Sequence, residues 1–171
     1  KKIAVAGAGT AGAKDGAFDA ATFNDPQGMA LKGETLYVAD TENHLIRAVD
    51  LTAKTVETLA GTGEQSHFRA GGGKLSQTAL NSPWDLLKVG STLYIAMAGH
   101  HQIWTYDLKA QKIQSFAGTG RENIDDGPTF AANFGQPSGL AADDKFLYVA
   151  DSEGSAIRRV PLNGEGRVTT L

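Results

Sequence analysis

A hairpin sequence that occurs three times places the strongest limit on how this 171-residue chain folds. The copies are LYVADTENHLIR from Leu36, LYIAMAGHHQIW from Leu93 and LYVADSEGSAIR from Leu147, and their tyrosines are 57 and 54 residues apart. A period of this length is typical of an array of like supersecondary units. The same two steps separate the prolines and isoleucines of each unit, which are Pro26, Pro83 and Pro137, and Ile46, Ile103 and Ile157.

Each unit contains four short segments with the composition of β-strands. In the first unit they are GMALK, TLYVAD, LIRAVDL and TVETLAG, each bounded by turn residues. No stretch has a helical apolar period, so helix is expected only as single turns near Ala20, Gln77 and Ala131. Four-stranded antiparallel units around a centre are the blades of a β-propeller. We therefore predict an all-β propeller with three four-stranded blades. They are expected at about residues 10–63, 64–120 and 121–171, with residues 1–9 as the outer strand of a preceding blade.

The connections between units are longer than a simple blade requires. They include GTGRENIDDGPTFAANFGQ before the third unit, and they lie on one face of a propeller because each joins a last strand to the next first strand. Long loops in compact domains are functional or disordered. Phe23, Leu80 and Phe134 recur at one position of these connections, which favours ordered loops with an apolar residue beneath them.

The first unit resembles the NHL repeat. The resemblance rests on Pro-x-Gly-Met-Ala at 26–30, Leu-Tyr-Val-Ala-Asp at 36–40 and Asn-His-x-Ile-Arg at 43–47. It implies half of a six-bladed ring that serves as a binding platform. It also implies either a second copy that completes the ring or a thioredoxin-like domain in a longer parent chain. The repeat-motif residues are Pro26, Gly28, Asp40, Asn43, Pro83, Pro137, Gly139 and Asp151.

The second and third units depart from this motif. Asp85 replaces the glycine, and Met97 and Trp104 replace the aspartate and arginine of the first unit. Where the motif is kept, Asp40 and Asp151 are expected to accept turn N–H groups and lock the hairpin. Arg47 and Arg158 are expected to pair with acidic side chains between blades. Gly154 and Ser155 replace the Asn-His pair in the third unit.

Trp84 is the strongest candidate for a binding residue. It stands where the other units have Gln27 and Ser138, at the start of the innermost strand. An aromatic residue facing the central channel is suited to anchor a peptide, with space-filling beside Asp85 as an equal alternative. The remaining candidates for partner contact lie in turns and connections, and are His44, His100, His101, Arg69 and Arg121.

His44, His100 and His101 also raise the question of a metal site near the channel mouth, because histidine is a common metal ligand. In such a site the ligand nitrogens of several histidines must all lie about 2.1 Å from the ion, whereas equivalent turns of adjacent blades are well separated. We therefore favour hydrogen bonds from these turn histidines to the neighbouring blade, and predict no cofactor.

The composition limits the choice of partner. A net charge of −3 disfavours nucleic acid, and no apolar run approaches the ~20 residues of a membrane span. Cysteine is absent, and no hydrolase or metalloprotease motif occurs. We predict a soluble, non-enzymatic scaffold that binds a protein or peptide, and the composition leaves the compartment open. The alternative is a metal-dependent lyase or hydrolase, which the resemblance to six-bladed propellers suggests.

Overall fold

The computed structural model describes residues 5–67 and 72–171, which form three antiparallel β-sheets. Each sheet is one repeat unit and therefore one blade, which confirms the predicted all-β propeller fold. Blade 1 contains β1 (Gly16–Ala17), β2 (Pro26–Lys32), β3 (Thr35–Asp40), β4 (Leu45–Asp50) and β5 (Thr55–Ala60). Blade 2 contains β6 (Gly72–Lys74), β7 (Pro83–Val89), β8 (Thr92–Met97), β9 (Gln102–Asp107) and β10 (Lys112–Ala117). Blade 3 contains β11 (Gly127–Pro128), β12 (Pro137–Ala142), β13 (Phe146–Asp151), β14 (Ala156–Pro161) and β15 (Arg167–Thr170).

Each blade has one more strand than the four expected. The additional strands, β1, β6 and β11, come from the connection that precedes each blade and pair with its outermost full-length strand. In blade 1, Gly16 pairs with Val56 and Ala17 pairs with Thr55. A ladder this short is formed by backbone hydrogen bonds alone. The segments therefore do not need side chains that favour β-strands, and they have none.

In residues 5–67 and 72–171 helical structure is confined to single turns, three of them at the predicted places and two more, Thr41–Asn43 and Ala98–His100, in hairpins where none was predicted. A 3-10 turn covers Leu75–Gln77, and the N–H groups of Ala20 and Ala131 close one turn each onto Ala17 and Pro128 carbonyls. No helix in residues 5–67 and 72–171 has the length and hydropathy that crossing a membrane requires.

The first full-length strand of each blade is innermost, as expected. These inner strands are β2, β7 and β12, and β7 lies beside both of the others. A bulge interrupts each inner strand directly after its proline. The residues at this bulge position are Gln27, Trp84 and Ser138.

The apolar core lies between the blades. We call the face that a blade turns toward the following blade its trailing face, and the opposite face its leading face. The trailing face of blade 1 packs Tyr37 and Ile46 against Leu93 and Ile95 of blade 2. In the same way, Ile103 of blade 2 packs against the leading face of blade 3. A third cluster, which contains Ala21, Val38, Val49 and Val56 and packs against Phe18, Phe23 and Leu36, lies on the leading face of blade 1.

Candidate functional site: the loop face of the propeller

A buried arginine fixes the connection that precedes blade 1. The Arg47 guanidinium donates to Asp40 Oδ2 at 2.6 Å and to Asp15 Oδ1 at 2.7 Å, and its side chain has no exposed surface. It also donates to the carbonyls of Thr22 (3.0 Å) and Lys14 (3.1 Å). All of these partners belong to blade 1 and its own connection. The prediction that Arg47 pairs between blades is therefore wrong: the network closes within one blade.

The same network recurs in blade 3 around Arg158. Its guanidinium donates to Asp126 Oδ1 at 3.1 Å and to Asp151 Oδ2 at 3.4 Å, so the interblade prediction is wrong here too. It also donates to the Asn133 carbonyl at 2.7 Å. The Arg158 guanidinium carbon lies 5.2 Å from the centre of the Phe134 ring, close enough for a cation–π contact.

Asp40 and Asp151 lock the loop face by accepting backbone N–H groups. Asp40 Oδ1 accepts from Asn24 at 2.7 Å, and Asp151 accepts from Gly135 at 3.0 Å and from Gln136 at 2.5 Å. The predicted structural role holds, but these donors lie in the connections rather than in the hairpin turns.

The outer carboxylates of the two networks have lowered pKa values. Partial burial raises the pKa of Asp15, but hydrogen bonds from Thr58 and Arg47 lower it by more. Asp126 behaves in the same way with Thr170 and Arg158. Both carboxylates therefore stay ionised to a lower pH than a free aspartate.

Blade 2 replaces the whole network with uncharged groups. Gly72, Met97 and Trp104 occupy the positions of Asp15, Asp40 and Arg47. Trp104 is fully buried, and its Nε1–H donates to Gln102 Oε1 at 3.0 Å. His100 occupies the position of Asn43, and its ring stacks on Trp104 with centres 5.3 Å apart. With 4% of its surface exposed, His100 is not part of the partner-facing surface on which we expected it.

His44 and His101 each join their blade to the next one. His44 Nδ1 accepts the N–H of Ser82 at 3.0 Å, and His101 Nδ1 donates to the carbonyl of Gly135. Both residues have left-handed backbones, with φ of 54° and 53°, that aim the rings out of the turn. These contacts are the interblade hydrogen bonds favoured from the sequence. Within the two described ranges, no group of three or more His, Cys, Asp or Glu residues is placed to hold a metal ion.

The His44 contact is expected to make stability depend on pH. Burial lowers the pKa of His44, outweighing the nearby Glu42 carboxylate. Because the folded state holds this proton less tightly than the unfolded state, the stabilisation is complete above about pH 6.5 and is lost as the pH falls below it. Protonation removes the acceptor for Ser82. If the bond contributes about 1 kcal/mol, lowering the pH from 7.5 to 5 should reduce the melting temperature of wild type by roughly 2–4 °C more than it reduces that of His44→Asn.

Asparagine is the matched choice for this comparison because it tolerates the left-handed backbone and does not titrate. Melting curves of both proteins at the two pH values check the expectation. An equal loss in both proteins would contradict it.

Trp84 lies at the bulge position of the inner strand of blade 2. The ladder pairs Pro83 with Met97 and then Asp85 with Ala96, so Trp84 has no cross-strand partner. Its side chain is half-buried. The Asp85 carboxylate supports the site by accepting the N–H groups of Leu86 and of Leu140 in blade 3, both at 2.8 Å.

The two arginines predicted for the loops differ in what the structure describes. Arg121 is exposed, and its backbone N–H donates to Thr119 Oγ1. Arg69 lies outside the described residues. A cleft of about 220 Å³ near Arg121 was not predicted from the sequence; it is lined by Ile124, Gly135 and Glu153 among others. The signal in the sequence was an isolated isoleucine in the polar run RENIDD.

Comparisons with known proteins decide the family. A family model of the NHL repeat matches residues 23–48. NHL repeat-containing protein 2 of Homo sapiens is 44% identical over 94% of the chain and 25% of its own length. The chain is a β-propeller of the NHL-repeat type. The Arabidopsis thaliana protein SUPPRESSOR OF QUENCHING 1, chloroplastic, is 43% identical over 96% of the chain and 16% of its own length. This NHL propeller thus spans a quarter or less of the length of these two relatives.

Two solved structures share the propeller fold. An auxiliary nutrient binding protein from Bacteroides ovatus aligns with a TM-score of 0.72 at 17% identity, over 90% of this NHL propeller and 39% of that chain. A chain of a nidogen/laminin complex aligns with a TM-score of 0.61 at 18% identity, over 90% and 49% of the two chains. At this identity the likeness concerns the fold alone.

Proposed function

We propose that this NHL propeller is a non-enzymatic scaffold that binds a protein or peptide partner on its loop face, with Trp84 as the anchor. The NHL-repeat propeller fold suggests a protein-binding scaffold in general terms. The observation that carries the specific proposal is the placement of a half-buried tryptophan at a bulge of the innermost strand.

The bulge position is suited to carry specificity. Gln27, Trp84 and Ser138 differ in size and polarity, although the strands around them follow the same course. The residue at this position therefore has no structural role common to the three blades. Bulges recur where a side chain must be re-aimed, and tryptophan is enriched among residues that dominate binding energy.

Hydrogen bonds on both sides of Trp84 fix the backbone that carries it before a partner arrives. Asp85 joins the inner strands of blades 2 and 3 through Leu86 and Leu140. The His44 contact with Ser82 fixes the chain two residues before Trp84. Rigid support of this kind lowers the entropy cost of binding. Arg121 and the cleft beside it provide a polar rim farther out on the same face.

The metal-dependent lyase or hydrolase alternative has less support. His44 and His101 use Nδ1 in interblade contacts, and the His100 ring is stacked beside Trp104. A nucleic-acid partner has little support from a net charge of −3.

Replacing Trp84 with alanine should weaken peptide binding by at least about 30-fold, as expected of a residue that contributes 2 kcal/mol or more. The measurement is selection of a displayed random-peptide library on the wild-type chain, followed by titration of the selected peptides. Phe130→Ala is the matched control, because Phe130 is 78% exposed at the outer edge of blade 3 and lies away from the inner strands. Melting curves of both variants check that the fold is retained. Equal affinity in wild type and Trp84→Ala would show that the binding site does not include Trp84 and lies away from the channel.

A further inference from the structure

We propose that a cleft between blades 2 and 3 binds an uncharged sugar. The cleft has a volume of about 350 Å³, and its lining includes Tyr94, Thr105, Gln114 and Phe116 of blade 2 and Leu162 of blade 3. We call it the interblade cleft. Both blades that form it belong to this chain, so its walls do not depend on what precedes blade 1 or follows blade 3. Its volume lies in the range of small-molecule sites.

The interblade cleft opens away from the loop face. Two of its lining residues, Thr92 and Asp107, stand at the start of β8 and the end of β9. The turn that joins these two strands on the loop face lies at their other ends. The cleft is therefore separate from Trp84, and the proposal does not depend on the proposed function of the loop face.

A change of side-chain size distinguishes the interface that contains the cleft. Between blades 1 and 2, Tyr106 of blade 2 belongs to the same buried cluster as Tyr37 and Ala48 of blade 1. In the interface between blades 2 and 3, the equivalent residue, 54 positions on, is Val160, in a cluster with Tyr94. A valine fills less of the space between two blades than a tyrosine, and this second interface is the one with the cleft.

The Thr105 hydroxyl is the group that points to a ligand. Thr105 is 8% exposed and lines the cleft. Among residues 5–67 and 72–171, its hydroxyl has no hydrogen-bond partner, although burying a hydroxyl without one is unfavourable. Ala48 occupies the equivalent position of blade 1, so the fold of a blade does not require a hydroxyl there. A ligand hydroxyl in the cleft would supply the missing partner.

The polar groups of the cleft favour a neutral ligand that both donates and accepts hydrogen bonds. The Thr105 hydroxyl and the Gln114 amide can each donate and accept, as sugar hydroxyls do. The charged side chains of the lining are Asp107 and Lys112, which are paired across β9 and β10. One charge of each sign leaves no net charge in the lining to attract an ion.

The apolar wall of the cleft suits the C–H groups of a sugar ring. The Tyr94 and Phe116 rings meet edge to face, with centres 5.3 Å apart and planes at 80°. Tyr94 Oη donates to the Leu162 carbonyl at 3.2 Å, which fixes the tyrosine between the two blades. Because the face of an aromatic ring is negative, it attracts C–H groups, which are weakly positive. Aromatic rings beside hydroxyl and amide groups match the two kinds of surface of a sugar.

Titration of the nitrogen-15-labelled chain with D-glucose, D-galactose, D-mannose and N-acetyl-D-glucosamine, followed by amide chemical shifts, tests the assignment. At least one sugar should shift the signals of Thr105, Gln114 and Phe116, with a dissociation constant of about 1–10 mM for so small a ligand. Inorganic phosphate is the charged comparison, because Lys112 is paired with Lys74 on β6. Phosphate should leave these signals unchanged.

Two substitutions link the binding to the cleft. Thr105→Val should weaken the sugar about 3–10-fold, the effect of losing one hydrogen bond. Valine keeps the shape of threonine, and the hydroxyl has no partner among the described residues, so the melting temperature should not fall. Gln114→Ala changes an exposed side chain and should weaken the sugar similarly. Thr55→Val is the matched control, because it makes the first change on exposed surface of β5 in blade 1, and it should leave the affinity unchanged.

The outcomes separate this site from the loop face. Sugar binding should persist in Trp84→Ala, whether or not that variant loses peptide binding. No shift at the cleft with any of the sugars at about 50 mM would overturn the proposal. Equal sugar affinity in wild type, Thr105→Val and Gln114→Ala would overturn it as well, and so would tighter binding of phosphate than of every sugar.

Discussion

Replacing Arg47 with methionine is expected to lower the free energy of unfolding by about 3–5 kcal/mol. Methionine keeps the length of the side chain but leaves Asp40 fully buried without its cation, at the point where the 2.6 Å ion pair now stands. It also releases the carbonyls of Thr22 and Lys14, which hold the preceding connection against blade 1. Urea unfolding of wild type and variant, followed by circular dichroism, measures the loss.

Blade 2 supplies the control for this experiment. A variant in which blade 1 carries the whole uncharged set of blade 2 should recover most of the lost stability. A buried ion pair and a well-packed apolar set of similar volume often contribute equally to stability. Recovery no better than in Arg47→Met would show that the blade 2 set functions only in its own surroundings. A loss below about 1 kcal/mol in Arg47→Met would contradict the stabilising role of the network. The five substitutions of the control are Asp15→Gly, Asp40→Met, Asn43→His, Leu45→Gln and Arg47→Trp, where the glutamine supplies the acceptor that Gln102 provides for Trp104 in blade 2.

Gly28→Ala should be the most damaging alanine substitution at the motif glycines. An added Cβ would stand 2.4 Å from Asp85 Cα and 2.7 Å from the Trp84 carbonyl oxygen, so the backbones of β2 and β7 must separate. Overpacking of this kind costs about 1–3 kcal/mol, and more where backbone rather than a side chain must move. Because the displaced strand carries Trp84, peptide binding should fall together with stability.

Gly139→Ala is the matched comparison for the same motif position. There the added Cβ would meet Ala150 Cβ at 3.5 Å, an ordinary contact, so the free energy of unfolding should change by less than about 0.5 kcal/mol. Equal losses in the two variants would mean that the glycines are needed for their backbone conformation and not for the close approach of blades 1 and 2.

The fold was predictable because its landmarks repeat. A single hairpin such as 36–47 is compatible with many all-β folds, but recurrence of Tyr, Pro and Ile at the same steps leaves few arrangements other than an array of blades. The fifth strand of each blade was not predictable in this way. Gly16 and Ala17 have no strand-forming side chains, and their pairing with Val56 and Thr55 depends on where a long connection passes.

The arginine networks show where sequence reasoning stopped short. Arg47 was expected to pair with an acidic side chain, and it does pair with Asp15. Asp15 is 32 residues away in the sequence, however, and only the path of the connection determines that this pair forms within one blade. The departures of blade 2 fall at separate positions of the sequence, and nothing in the sequence alone indicates that they belong together. In the structure Gly72, Met97 and Trp104 form one coordinated exchange, because losing the arginine alone would leave the carboxylate at the Asp40 position buried and unpaired.

His100 and His101 are neighbours in the sequence with opposite surroundings. His100 ends a 3-10 turn and its ring packs inward on Trp104, whereas the left-handed backbone of His101 turns its ring toward the next blade. No property of the residue type distinguishes them. Alignment of His101 with His44 was the only signal, and it correctly indicated the interblade contact.

The short strands drawn from the connections have a consequence for aggregation. A sheet edge with unpaired N–H and C=O groups is a template for further strands and hence for fibrils. In blade 1 this edge is occupied by β1, and the N–H of Thr58 beyond it is taken by Asp15 Oδ2 at 3.0 Å. In blade 3, β11 pairs with the outer strand at Val168, and Asp126 Oδ1 accepts the N–H of Thr170. With these backbone groups occupied, the outer edges of blades 1 and 3 leave no long row of free N–H and C=O groups on which a strand of another chain could pair, so these edges are protected against fibril growth.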